Sequence, residues 1–213
     1  MEWFALVVPV VIGYLLGAIP AGMLVARAAG IKDIRQHGSG NIGATNVWRV
    51  CGGKVAVWVY ICDIGKGMLA ILIARQFDQT LIGRDMFLVI CAGATVVGNL
   101  FPVFLKFRGG KGVNTALGVM LILLPVETGV AIVVFLLVVV ATRLISLGSM
   151  TGAAGLLAAV LVRQYALDTP VALPYRVVAA LLLLAVLYSH RKNIGRIIAG
   201  TENRFSISRK SHD

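Results

Sequence analysis

Residues 3–26 read WFALVVPVVIGYLLGAIPAGMLVA, 24 positions without a charged side chain. A helix drawn through them is apolar on every side, whereas a helix of a soluble domain needs an apolar stripe on one side only. Crossing a hydrocarbon core takes about 20 such residues in succession. The pattern recurs at 55–74, 86–105, 129–142 and 177–188. It dominates the chain: 59% of the 213 residues are hydrophobic and the mean hydropathy is +0.91, against roughly 45–50% apolar residues in soluble domains. The expected fold is all-α, a polytopic transmembrane helical bundle forming one integral membrane domain over residues 1–213. The first run does not read as a secretory signal. No basic segment precedes it, Glu2 is the sole early charge, and it is too long for a signal's apolar core.

Seven helices are expected, at about 3–26, 55–75, 86–106, 113–124, 129–145, 147–163 and 176–189. The fourth is short, about 18 Å by helical rise, which fits a half-helix or a locally thin region. Charge gives the orientation. With the N-terminus outside and alternating crossings, the inside segments hold Arg27, Lys32, Arg35, Arg49, Lys54, Lys106, Arg108, Lys111, Arg143, Arg191, Lys192, Arg196, Arg204, Arg209 and Lys210. The outside segments hold Arg75, Arg84, Arg163 and Arg176, and Lys66 falls within a span. Fifteen cations against four obey the positive-inside rule. The same rule accounts for the net charge of +11 without a nucleic-acid partner. Gly13 with Gly17, and Gly148 with Gly152, have the small-xxx-small spacing that lets helices approach closely. Cys51, Cys62 and Cys91 form no CxxC pair and read as free thiols packed in or near helices. No metal-ligand spacing is present, so neither a metal nor a cofactor is expected.

Three polar clusters interrupt the apolar chain, and this topology puts all three on the cytoplasmic face. The first is Gly38, Ser39, Gly40, Asn41, Ile42, Gly43, Ala44, Thr45 and Asn46, followed by Arg49. It contains GxGxxG, but a dinucleotide fingerprint needs a preceding strand in a βαβ unit, and apolar helices flank it here. What remains is the chemistry of its parts. Glycines let backbone N–H groups approach an anion, hydroxyls and amides add neutral donors, and Arg49 offers a fork suited to phosphate. A plain polar turn also uses Gly and Asn, but rarely this many together with an Arg. The second cluster, FPVFLKFRGGKGVNT over residues 101–115, lacks the Ser or Thr after Lys111 of a Walker A loop. It is still Gly-rich at Gly109, Gly110 and Gly112, carries Lys106, Arg108 and Lys111, and opens into a helix whose N-terminus favours anions. Its Thr115 adds a hydroxyl in the first turn. The third cluster runs from His190 through Arg191, Lys192, Asn193 and Arg196 to Glu202 and Arg204. If the last helix continues, His190 and Asn193 share a face at i, i+3. Arg196 and Arg204 would face headgroups or the site, and Glu202 reads first as an ion-pair or capping partner. Asp63 and Lys66, at i, i+3 inside the second span, are expected to pair with each other, because lone charges there are costly.

These clusters resemble those of the bacterial acyl-phosphate-dependent glycerol-3-phosphate acyltransferases (the PlsY type). The matching strings are GSGNIGATNVWR, FPVFLKFRGGKGVNT, HRKNIGRII and GTEN, in that order and across most of the chain. The resemblance implies transfer of an acyl group from acyl phosphate to the 1-hydroxyl of sn-glycerol 3-phosphate. The products would be lysophosphatidic acid and inorganic phosphate, made at a bacterial inner membrane with the active site on the cytoplasmic face. It also implies seven spans with the N-terminus outside. Residue by residue, Ser39, Arg49, Lys111, His190 and Asn193 match catalytic positions. Gly38, Gly40, Asn41, Gly43, Thr45, Asn46, Gly109, Gly110, Gly112 and Thr115 match substrate-phosphate-binding segments, and Glu202 matches a position tied to integrity, joining Asp63 and Lys66 as structural support. The expected partners are the two substrates, membrane lipid and a soluble enzyme that makes acyl phosphate. In one departure, the family's usual Gly-His before Phe-Pro reads Gly98-Asn99 here. Asn replaces a hydrogen bond but does not titrate near neutral pH. Either that His is no catalytic base, the reading preferred, or the activity has diverged. The proton acceptor for the hydroxyl is either His190 or the phosphate of the substrate itself.

Two other classes fit less well. CoA-dependent acyltransferases carry HxxxxD, but five residues beyond His37 stands Ile42, beyond His190 stands Gly195, and His212 is too near the end. A transporter would suit Asp63, Lys66 and glycine-interrupted helices, yet the polar residues gather at one face and show no repeat.

Overall fold

The computed structural model describes residues 2–77 and 81–205. Arg209 and Lys210, counted above, and His212 lie outside the described residues. Those described form ten α-helices and two short 3₁₀ turns: α1 (Glu2–Ala18), α2 (Ala21–Ala28), α3 (Ala44–Cys51), α4 (Gly53–Ala74), α5 (Arg84–Leu100), α6 (Val113–Leu123), α7 (Pro125–Thr142), α8 (Ile145–Tyr165), α9 (Leu173–Ser189) and α10 (Arg191–Ile198). Five stretches are long and apolar enough to cross a membrane: Trp3–Ala28, Gly53–Ala74, Arg84–Leu105, Pro125–Thr142 and Ile145–Tyr165. The pair α9 and α10, bent by 60°, makes up to six. The expected helix at 113–124 is α6, whose 11 residues extend only about 16 Å.

Three local features depart from the expected pattern. The run 3–26 is not one helix. Pro20 has no N–H to give, and the carbonyl of Leu16 takes the Ile19 N–H instead, at 3.2 Å. Ile19 O is left with the Ala21 N–H at 3.0 Å and the Lys66 ammonium at 2.8 Å. Pro9, by contrast, sits inside α1 without ending it. The first polar cluster is not all loop either, since α3 begins at Ala44. Finally, the last helix does not continue past His190. The chain turns there into α10, which carries Arg191, Lys192 and Arg196. A segment that basic is costly in hydrocarbon and stable along its surface. His190 and Asn193 are therefore not one face of a continuous helix.

The chain divides into two compact units, Met1–Pro125 and Val126–Asp213. In the first, α1 packs on α4 and α5, and α4 carries α2, α3 and α6. Gly17 of α1 abuts the backbone of Thr95 in α5, with Gly13 one turn away against the Thr95 hydroxyl. This is the close approach that small residues permit between helices in lipid. Beneath the first cluster, Met23, Ile34, Ile42, Val47, Ala56 and Val59 form a buried apolar core. In the second unit, α8 packs on α9, and Gly148 and Gly152 of α8 lie against Phe135 of α7. Glu127, 1% exposed, pairs with Arg163 at 2.8 Å.

Candidate active site

In the first unit the first cluster is organised by one side chain. Asn46, 1% exposed, accepts the Ser39 N–H at 2.7 Å. Its amide nitrogen faces three carbonyls, donating to Asn41 at 2.8 Å, His37 at 3.0 Å and Ile34 at 3.3 Å. A carboxamide is the side-chain group that both accepts and donates from one rigid plane. Gly38 enters this knot at φ +60°, a conformation that glycine adopts without strain. Asn41 accepts the Gly43 N–H at 2.8 Å, a turn that ends where α3 begins, so the first N–H groups of α3 open from the loop. Thr45 bonds Tyr60 of α4. Ser39 and Arg49 remain exposed, Asn41 and Thr45 are half-buried. The two Asn residues hold the loop's shape, and the exposed hydroxyl and guanidinium are what it presents.

The second cluster is pinned to the end of α5. The N–H groups of Phe107, Gly109 and Gly110 donate to Pro102, Leu100 and Asn99 at 2.9, 3.2 and 3.1 Å. Tyr14 of α1 donates to Phe101 O at 2.9 Å. The path needs left-handed backbone at Lys106 and Phe107, with φ of 51° and 61°, and again at Gly112, which caps α6 at φ +75°. Gly110 is where the first two clusters meet. A Cβ built on it would lie 3.3 Å from Asn99 Oδ1, 3.5 Å from Ile42 and 3.9 Å from Asn41 Oδ1. Lys111 is half-buried beside it. Thr115 points elsewhere: it is fully buried, and its hydroxyl has no hydrogen-bond partner. It packs where α6 crosses Gly67 of α4, and so is placed to seat α6 rather than to meet a phosphate.

In the second unit the third cluster closes on Glu202. Its carboxylate accepts from Asn193 at 2.6 Å, Ser146 at 2.8 Å and Arg196 at 2.6 Å. Its side chain is 4% exposed. Burial works against its charge, but the hydrogen bonds from Asn193, Arg196 and Ser146 outweigh that and hold the carboxyl below its ordinary range. Arg196 is thus an ion-pair partner, while Arg204 is exposed. The segment is also tied down by Phe205, whose N–H donates to Arg143 O at 2.6 Å. His190, 2% exposed, caps α10. Its Nδ1 lies 2.8 Å from Val186 O, and a carbonyl only accepts. Nδ1 therefore carries the proton, and in the neutral ring the lone pair is on Nε2. Ser146, in the first turn of α8, was not singled out by sequence. Its bond spans 56 residues, and nothing around it in the chain announces it.

Asp63 and Lys66 pair at 2.8 Å inside α4, both largely buried. The first unit thus presents a hydroxyl, a guanidinium and an ammonium on adjoining Gly-rich loops that open into the N-termini of α3 and α6, a set suited to phosphate. The second holds an imidazole and a carboxamide in a fixed frame.

Comparison with known proteins agrees with this chemistry. A family model described as glycerol-3-phosphate acyltransferase matches residues 7–200. The chain is 42% identical over 196 residues to the glycerol-3-phosphate acyltransferase of Syntrophomonas wolfei, covering 92% of this chain and 95% of that one. It is 43% identical over 192 residues to that of Syntrophotalea carbinolica, covering 90% and 93%. Among solved structures it resembles PlsY (YgiH), an integral membrane glycerol 3-phosphate acyltransferase, in its glycerol 3-phosphate form. The TM-score is 0.83 and identity 36%, with 93% of this chain and 94% of that one covered. Its lysophosphatidic acid form matches with a TM-score of 0.81 and 35% identity, with the same coverage. The chain belongs to the glycerol-3-phosphate acyltransferase family, of the PlsY type, and is an all-helical integral membrane enzyme.

Proposed function

We propose that the chain acylates the 1-hydroxyl of sn-glycerol 3-phosphate from acyl phosphate, giving lysophosphatidic acid and inorganic phosphate. The observation that carries this is the Asn46-braced loop, which buries its own polar bonds and leaves Ser39 and Arg49 exposed. Arg49 and Lys111, with the N-termini of α3 and α6, bind and orient the phosphates. The glycines at 38, 40, 43, 109, 110 and 112 shape the loops that bring them together, the N–H groups of Gly40, Gly43, Gly109 and Gly110 being taken up within those loops. Ser39 adds a neutral donor. The hydroxyl oxygen attacks the acyl carbon, the bond from that carbon to the phosphate oxygen breaks, and phosphate departs with its electron pair. Acyl phosphate is a mixed anhydride with a good leaving group, so no covalent enzyme intermediate is needed. Stabilising the oxyanion and the leaving phosphate, with positioning, supplies the catalysis. The hydroxyl proton passes to His190 or to the phosphate of glycerol 3-phosphate. Asn193 and Glu202 hold the third cluster, and Asn99 anchors Gly110 through its backbone, a role that needs no titrating side chain.

The same reading sets the protein in a bacterial inner membrane as one domain with seven crossings. The five long stretches, the bent pair α9–α10 and the short α6 supply them, with N-terminus outside. The count of cations supports cytoplasmic placement of all three clusters, where soluble glycerol 3-phosphate is met and a soluble enzyme delivers acyl phosphate. Purified protein in liposomes, given glycerol 3-phosphate with either palmitoyl phosphate or palmitoyl-CoA, tests the donor. Lysophosphatidic acid should form from the acyl phosphate alone, and Ser39→Ala and Arg49→Ala should each lower its formation more than 100-fold. Equal use of the CoA ester would overturn the donor assignment. His190→Gln separates the two bases. Loss of the basic limb of the pH–rate profile assigns the proton to His190. An unchanged profile with weaker glycerol 3-phosphate binding assigns it to the substrate.

A further inference from the structure

The Asp63–Lys66 pair lies inside α4, and its ammonium reaches the break in the first span. Lys66 Nζ is held by Asp63 at 2.8 Å and donates to Ile19 O at 2.8 Å. Ile19 is the residue at which the first span breaks. In an unbroken helix its carbonyl would accept the Met23 N–H, but that N–H goes to Pro20 O at 3.0 Å. The ammonium thus completes the break. Two residues into α2 stands Gly22, and a Cβ placed on it would run into Ile42 O of the first cluster. Ile42 lies between Asn41, which shapes the loop, and Gly43, which opens α3. On its other side the Ile42 side chain lies 3.5 Å from where Gly110 of the second cluster would carry a Cβ. The path runs by hydrogen bond from Lys66 to Ile19, along the chain to Gly22, and by close approach to Ile42 and Gly110.

We infer that Lys66 and Gly22 are positioning residues for the phosphate-binding loops: Lys66 sets the break between α1 and α2, and Gly22 carries that setting to the backbone at Ile42. The inference rests on the assignment of these loops to substrate phosphate. The ammonium of the pair also gives a hydrogen bond to a carbonyl 47 residues away, at the start of a helix whose Gly22 lies directly against Ile42 O.

The test separates positioning from stability. Losing one partner of a buried pair leaves a buried charge, whereas replacing both does not. The variant Asp63→Asn with Lys66→Met should therefore keep a Tm within a few degrees of the parent. Titrated with glycerol 3-phosphate at saturating palmitoyl phosphate, it should show KM raised about tenfold or more with kcat changed less than threefold. Lys66→Arg, whose guanidinium can still donate to Ile19 O, should restore KM to within about threefold. Gly22→Ala, which leaves the ion pair intact, should raise KM in the same selective way and provides the test should the double variant fail to fold. Parental KM in the folded double variant or in Gly22→Ala, or a fall of KM performance and kcat together in step with Tm, would overturn the inference. Ser39→Ala in the same assay tells the two claims apart. If it keeps parental kinetics, the loop assignment fails, and not the path from Lys66.

Discussion

The first and third clusters are held by different kinds of hub. Asn46 ties its loop with neutral hydrogen bonds from a carboxamide, to one N–H and three carbonyls. Glu202 ties its segment with a carboxylate that draws in a guanidinium, a carboxamide and a hydroxyl. The difference follows from what each hub must satisfy. Around Asn46 the orphan groups are backbone N–H and C=O, so the hub must both donate and accept. Around Glu202 the groups are all donors, and a carboxylate is acceptor only. One knot should ignore pH, and the other should depend on it.

The sharpest way to break this contrast is to remove the neutral hub. Asn46→Ala leaves buried carbonyls and an N–H without partners, each at about 1–3 kcal/mol. Acyltransfer should fall more than 100-fold, and thermal denaturation should show a destabilisation of about 3 kcal/mol. Asn46→Asp should do little better, because a carboxylate cannot donate to Asn41, His37 and Ile34. Parental kinetics in either variant would show that the loop is shaped by something else. Glu202→Gln comes next. It keeps one acceptor but loses the ion pair with Arg196, for about 2 kcal/mol, and kcat/KM should fall about tenfold.

The pH dependence has a defined sign. Glu202 is held below its ordinary value near 4.5, so its contribution is complete above that value and disappears as pH falls through the lowered one. Hydrogen-exchange protection over residues 193–202 should therefore decline on acidification while residues 38–46 keep theirs. The nearest acid before the first cluster, Asp33, is held at about 2 by hydrogen bonds from the Arg35 side chain and backbone. Equal decline in both segments would remove the distinction. The smallest effect is Ser146→Ala. It removes one of three bonds to the carboxylate, so about 1 kcal/mol and less than threefold in activity are expected, read from Tm and steady-state kinetics.

What the sequence made legible was whatever is local. The spans follow from composition over about 20 consecutive residues, and the three clusters from residue types along a short string. What it hid depends on distant partners. Pro9 and Pro20 look alike in the string, yet only Pro20 marks a break, and the Lys66 that completes it lies 47 residues on. Helix α3 was hidden by a Gly- and Asn-rich string that reads as a turn, although Asn41 two residues before Gly43 is a turn signal that ends there. Thr115 looked like a phosphate ligand by its place after a Gly-rich loop, but the facing of α6 on α4 turned it inward. Ser146 carried no local signal at all.

The central claim is that the Asn46-braced loop presents Ser39 and Arg49 to the phosphate of an acceptor alcohol. Phosphate release from palmitoyl phosphate by lipid-reconstituted protein, with and without glycerol 3-phosphate, tests it most directly. Release that requires glycerol 3-phosphate, and that disappears in Ser39→Ala and Arg49→Ala while both variants stay folded, is the predicted result. Release independent of glycerol 3-phosphate, or undiminished in either variant, would contradict it.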